Sequence, residues 1–135
     1  MSNEWWVGVD IGGSKFLLVA TDESRRKEHW GRTGAAVRPI DIEREIRDFL
    51  THLDGTTAAL GIAVPGLVDA GGGIIACDVL PRLAGWCPRE TFLDLCCPMQ
   101  VLNDAEAALL EETHDLSPEA TAGLVMAGTA IGAAF

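Results

Sequence analysis

Val7-Gly8-Val9-Asp10-Ile11-Gly12-Gly13-Ser14-Lys15-Phe16 is the stretch on which the reading of the chain turns. The β-branched residues before the glycines read as a strand reaching back to Trp5, and Phe16 to Ala20 as a second. Gly12-Gly13 between them makes a hairpin turn, where residues without a Cβ take positive φ at little cost. Two familiar phosphate loops are excluded. A P-loop needs Gly-Lys adjacent and a helix after it, whereas Ser14 intervenes here and an apolar run follows. A dinucleotide fingerprint needs Gly-x-Gly-x-x-Gly opening a helix, and none is present. Two readings stand: an ordinary hairpin with a turn-forming Asp10, or a phosphate-binding turn. In the second, glycine amides face the anion and Asp10 holds magnesium through water.

Glu28 to Thr33 reads as a weaker third strand, giving an antiparallel meander. The period then changes. Ile42, Ile46, Phe49, Leu50 and Leu53 share one face of a helix over Pro39 to Leu53, with Pro39 and Asp41 suited to its first turn and Gly55 to its exit. Thr57 to Val64 reads as a strand stopped by Pro65-Gly66, Asp69 to Gly73 as a turn, and Ile74 to Cys77 as a short strand. Residues 78–88, with Pro81, Pro88 and Gly85-Trp86, read as loop, and Arg89 to Cys97 as a short helix. Met99 to Leu102 is a strand, Asp104 to Glu112 a helix, and Ala122 to Ala127 a last strand running into Gly128 to Gly132. The order predicts an α/β domain whose mixed sheet has three antiparallel strands followed by strand/helix alternation.

The formal net charge of -10 opposes nucleic acid and anionic membranes as partners. No apolar run approaches the ~20 residues of a membrane helix, and Met1-Ser2-Asn3-Glu4 lacks the basic start of a signal peptide. Cys77, Cys87, Cys96 and Cys97 match neither zinc-ribbon nor redox spacing, so reduced thiols and a cytoplasmic location are expected.

Three further motifs carry chemistry, each with a bland alternative. A strand ending in Pro65-Gly66 brings bare backbone to a cleft edge that meets a sugar hydroxyl, or simply turns. Asn103-Asp104, between strand and helix, sits where α/β sheets place ligands. Asp104 there accepts a hydroxyl proton and Asn103 orients a polyol, or the pair caps the helix. Gly128-Thr129 opens a second glycine turn.

In this order the four motifs resemble the ROK family (repressors, open reading frames, kinases), and through it the actin-like, ribonuclease-H-like sugar kinases. The resemblance spans Val7 to Phe135. It implies that Asp10, Gly12, Gly13, Ser14 and Lys15 form the first phosphate motif and Gly128 and Thr129 the start of the second. It also implies that Asn103 and the Gly66 backbone hold the sugar, that Asp104 is the catalytic base, and that Leu83 to Trp86 close over the sugar, with Trp86 as a lid or a core anchor. ATP and magnesium are the implied cofactors.

Departures from the pattern matter too. Arg82 stands where an Asn is usual, which admits an acidic sugar because a guanidinium clamps a carboxylate. Ala130, Ala133 and Ala134 stand where glycines are usual. The expectation is that residues 1–135 are the N-terminal phosphate- and sugar-binding domain of a two-domain kinase. The second domain, with the adenosine pocket and the zinc site, lies outside this chain, which alone has little or no activity. A complementing C-terminal half or self-association is the expected partnership, beside sugar and nucleotide. A DNA-binding repressor is disfavoured by the acidic charge and by only four residues before the first strand. A non-catalytic sugar-binding or assembly domain is the alternative. The sugar, and ATP or polyphosphate as donor, stay open.

Overall fold

The computed structural model describes residues 3–113, 124–127 and 131–134, with side chains through residue 109. In chain order the elements are β1 (Glu4–Ile11), β2 (Lys15–Thr21), β3 (Arg26–Arg32), α1 (Pro39–Thr51), β4 (Thr56–Val64), β5 (Leu67–Val68), β6 (Ile74–Ala76), α2 (Pro88–Thr91), β7 (Met99–Asn103), α3 (Asp104–Thr113), β8 (Leu124–Ala127) and β9 (Ile131–Ala134). A five-stranded sheet in the order β3-β2-β1-β4-β7 organises them. β1, β2 and β3 pair antiparallel, while β4 runs parallel to β1 and β7 parallel to β4.

Side-chain alternation divides this sheet into two unlike faces. Trp5, Val7, Val9 and Ile11 of β1, Phe16 and Leu18 of β2, and Leu60, Ile62 and Val64 of β4 are buried on one. Ile42 and Ile46 of α1 cover them, each side chain contributing about 1.5–3 kcal/mol of burial. The other face carries the intervening residues: Trp6, Gly8 and Asp10 of β1, Lys15 and Leu17 of β2, Gly61 and Ala63 of β4. Trp6 and Trp30 remain about half exposed there.

Edge strand β3 is almost wholly exposed and charged, which blunts edge-to-edge pairing. Its Gly31 has a packing reason: a Cβ there would collide with the Phe16 ring, which lies across the glycine.

One expectation is corrected. Arg89 to Cys97 is not one helix: α2 ends at Thr91, a 3₁₀ turn spans Leu93–Leu95, and Cys96 adopts left-handed φ of 52°. Pro98 disfavours helical backbone at the residue before it, and Phe92 is drawn into the core. The stretch 78–88 is loop as expected, apart from one short turn, but it is folded inward. Leu80, Leu83 and Trp86 are buried, three residues apart around a 3₁₀ turn at Pro81–Leu83. The predicted turn at Asp69 to Gly73 does form, closing a β5–β6 hairpin in which the Asp69 carboxylate accepts from the Gly71 and Gly73 amides, both at 2.9 Å.

Arg47 of α1 fastens the irregular segment to the helix. Its guanidinium donates to both Asp94 carboxylate oxygens (2.8 and 2.9 Å), to the Thr91 carbonyl (2.9 Å) and to Glu43 (3.0 Å), and it stacks 5.1 Å from the Phe92 ring centroid. These partners push its proton affinity further up and hold the Asp94 carboxyl below its usual range. Arg47→Ala is expected to lower unfolding free energy in urea by about 1–2 kcal/mol, allowing for solvent screening. Arg47→Lys should recover less than half, since an ammonium lacks the planar fork; a lysine variant as stable as the parent would show that charge alone fastens the segment.

Candidate functional site

The parallel pairing of β1, β4 and β7 brings their C-terminal ends to one edge. Asp10 lies beside Ala63, Ala63 beside Leu102, and Val64 beside Asn103. At that edge Asp10, Gly12, Gly61, Ala63, Leu102 and Asp104 line a recess of about 540 Å³ on the open face of the sheet. Its floor is kept low by Gly8 and Gly61, register partners whose absent Cβ atoms would meet nothing within 4 Å. Sequence reading missed these two; glycines at alternating positions of two strands were the available signal.

The Gly12–Lys15 hairpin is tight. The Gly12 amide donates to the Lys15 carbonyl at 2.8 Å, and a Cβ on Gly12 would lie 2.9 Å from that same oxygen. Glycine is therefore required at 12 by close approach. Positive φ, the expected reason, belongs instead to Gly34, Gly55, Gly72 and Gly85. Thr33 buttresses the turn, its hydroxyl donating to the Gly12 carbonyl at 2.6 Å. The amides of Gly13 and Ser14 have no acceptor among the described residues.

Asp10 and Asp104 share the recess, and burial pushes both carboxyls up. For Asp104 desolvation leads, opposed by the Ala105 amide it accepts at 2.8 Å and reinforced by the charge of Asp10. Asn103 donates to the Gly66 carbonyl at 2.6 Å and accepts from the Ala105 amide at 2.9 Å, so it both caps α3 and ties β7 to the Pro65-Gly66 corner. Gly66 is confined, since a Cβ would strike the Ala76 carbonyl. Lys15 stacks 4.9 Å from the Trp30 ring centroid.

The remaining candidates lie elsewhere. Arg82 is exposed on its 3₁₀ turn, with no hydrogen bond or ion pair among the described residues, and lines neither recess at the sheet edge. Trp86 is a core anchor, 8% exposed with its indole donating to the Thr91 hydroxyl at 2.8 Å, so it does not form a lid. Gly128 and Thr129 lie outside the described residues.

Magnesium keeps most of its waters and takes one or two carboxylates beside phosphate oxygens. Asp10 and Asp104 offer that kind of donor, and no cluster of three or more His, Cys, Asp or Glu side chains is gathered among the described residues. No described helix is long and apolar enough to cross a membrane.

A mixed sheet opening with an antiparallel hairpin and ending two parallel strands at a carboxylate-lined edge defines a ribonuclease-H-like domain of the actin-like ATPase class. The ROK family model matches residues 6–135, and the chain belongs to the ROK family. A ROK family protein from Streptococcus pneumoniae in complex with sucrose superposes with a TM-score of 0.78 at 22% identity, over 96% of this chain and 44% of that one. An inorganic polyphosphate/ATP-glucomannokinase from Arthrobacter gives 0.76 at 20% identity, over 97% and 57%. A ROK family glucokinase from Streptomyces griseus, in complex with glucose and AMPPNP, gives 0.72 at 23%, over 96% and 43%. The chain thus spans about half the length of these structures. No curated protein matches.

A carboxyl raised by folding binds more protons in the native than in the unfolded state. Its contribution is favourable in acid and is lost as pH climbs from the ordinary carboxylate value through the raised one. Asp104→Asn should therefore melt a few degrees above the parent at about pH 7 and converge with it at about pH 3. Scanning calorimetry across that range checks this; a variant melting lower at neutral pH would mean that the carboxylate stabilises the fold.

Proposed function

We propose that this chain is the phosphate- and sugar-binding domain of an ATP-dependent sugar kinase. The observation that carries the reading is the pairing of Asp104 with Asp10 in one recess beside the Gly12 turn. A base for a sugar hydroxyl and a phosphate-facing turn thereby adjoin.

In this reading the sugar lies in the recess against Asp104 and reaches over the sheet edge to Asn103, which stands at the Gly66 corner rather than in the recess lining. Asp104 accepts the proton of the attacking hydroxyl, and its raised proton affinity brings it closer to the operating pH. Asn103 has one amide hydrogen left after binding Gly66 and offers it to a neighbouring hydroxyl. The amides of Gly13 and Ser14, with Lys15, receive the donor phosphates. Asp10 would hold magnesium through water, and that ion supplies neutralisation of phosphate charge. Arg82, exposed and unpaired among the described residues, is assigned to a sugar carboxylate reached on closure. Gly128 and Thr129 are assigned to the far side of the donor phosphates.

Because the chain spans about half of its structural relatives, turnover is expected to need a complementing C-terminal half, and the isolated chain should be nearly silent. A non-catalytic sugar-binding domain is the alternative. An ADP-release assay over hexoses, N-acetylhexosamines and sugar acids, with the C-terminal half of a related kinase in trans, separates the two. Sugar-dependent release that falls about 10²–10⁴-fold in Asp104→Asn supports the kinase. Sugar binding with no release, or release indifferent to sugar, overturns it.

A further inference from the structure

β2 and β3 place two cations face to face. Lys15 and Arg32 are direct cross-strand partners. The Thr33 amide bonds the Ser14 carbonyl at 3.0 Å, which makes the adjoining 15/32 pair one without ladder hydrogen bonds. In such pairs the Cα atoms are only about 4.5 Å apart and side chains are closest, so like charges there repel. The chain is acidic overall, and Arg25, Arg26, Arg38 and Arg47 each pair with a carboxylate. Lys15 and Arg32, like Lys27, Arg44, Arg82 and Arg89, have no carboxylate partner among the described residues, and they are set apart by standing opposite one another. Of the acids on their face, Asp10, opposite Leu17 and so diagonal to Lys15, forms no ion pair with it, and Glu28 pairs with Arg26.

The surroundings accept an anion. Lys15, Trp30, Arg32, Gly13, Ser14 and Gly34 line an open recess of about 820 Å³, against the roughly 30 Å³ share of one water molecule. It adjoins the Gly12 turn and is lined by Lys15, Arg32 and the Gly13–Ser14 segment, whose amides have no acceptor among the described residues, with no carboxylate among its residues. A guanidinium matches phosphate oxygens bidentately, whereas Lys acts as a point charge.

We infer that Lys15 and Arg32 form an anion subsite beside the glycine turn, which takes one further group of a linear condensed phosphate. The inference rests on the proposed kinase reading only for the donor's direction; the subsite binds without sugar and without turnover. The chemistry is shared by a nucleoside triphosphate tail and by inorganic polyphosphate.

The test is titration of the intact chain with orthophosphate, tripolyphosphate, ATP and long-chain polyphosphate, followed by tryptophan fluorescence and calorimetry. Lys15 leaving the Trp30 ring should change an emission that Trp30→Phe removes. Arg32→Gln should weaken tripolyphosphate at least 10-fold and lower the salt slope for long-chain polyphosphate by about one. Arg44→Gln, on an exposed position of α1, should change neither. Tighter long-chain polyphosphate than ATP at equal phosphate identifies polyphosphate as the source, and the reverse order identifies the nucleotide tail. Equal losses in Arg32→Gln and Arg44→Gln, or orthophosphate binding as tightly as tripolyphosphate, overturn the subsite. A silent kinase assay beside intact tripolyphosphate binding would count against the kinase reading alone.

Discussion

The parallel register of β1 on β4 and of β4 on β7 is the constraint on which the site depends. Asp10 and Asp104 are 94 positions apart in sequence and share a recess only because Asp10 sits beside Ala63 and Ala63 beside Leu102. A one-residue slip would turn Asp10 into the apolar layer and Val9 and Ile11 out of it, since successive side chains alternate faces. The apolar layer forbids that slip. Trp5, Val7, Val9 and Ile11 must lie against α1, and their burial pins Asp10 outward. The bulge between Trp5 and Trp6 absorbs irregularity at the far end of the strand, away from the carboxylates.

What the core supplies, the edge partly gives back. Asp10 and Asp104 are both held above the ordinary carboxylate range, and Lys15 stands opposite Arg32. Each arrangement disfavours the folded chain by itself, and both lie at one end of the sheet. Asp22, Asp41, Asp54 and Asp94, by contrast, are all held low by arginines or amides. Two raised carboxyls and two opposed cations at one edge are what preorganised polar sites look like before their ligand arrives.

Much of this frame was legible in the sequence because its period was regular. The Trp5 to Ile11 and Phe16 to Ala20 runs, the helix over Ile42 and Ile46, and the strand to Val64 all form within a residue or two of expectation. Legibility failed where structure is too short to have a period. Leu67–Val68 is a two-residue strand recognisable only by its partner, and Arg89 to Cys97 looked helical until Arg47 and Pro98 are seen to break it. Leu80, Leu83 and Trp86 lie in the expected loop, yet their burial was not legible because a spacing of three around one 3₁₀ turn is too short to form a period. The site carboxylates stood out by position, whereas the Lys15–Arg32 opposition needed the β2–β3 register.

An acidic chain that handles phosphate poses an electrostatic question, since a net charge of -10 should repel its own ligand. Screening and geometry answer it together. At physiological ionic strength a charge is felt over about 8 Å, so acids on the outer side of α1 contribute little at the β1–β2 turn. Within that range the turn presents Lys15, Arg32 and the amides of Gly13 and Ser14, with Asp10 as the opposing acid on the same strand face. The global charge acts instead on long polyanions approaching elsewhere. Attraction is thus confined to the end of the sheet where a condensed phosphate lies alongside the carboxylate recess.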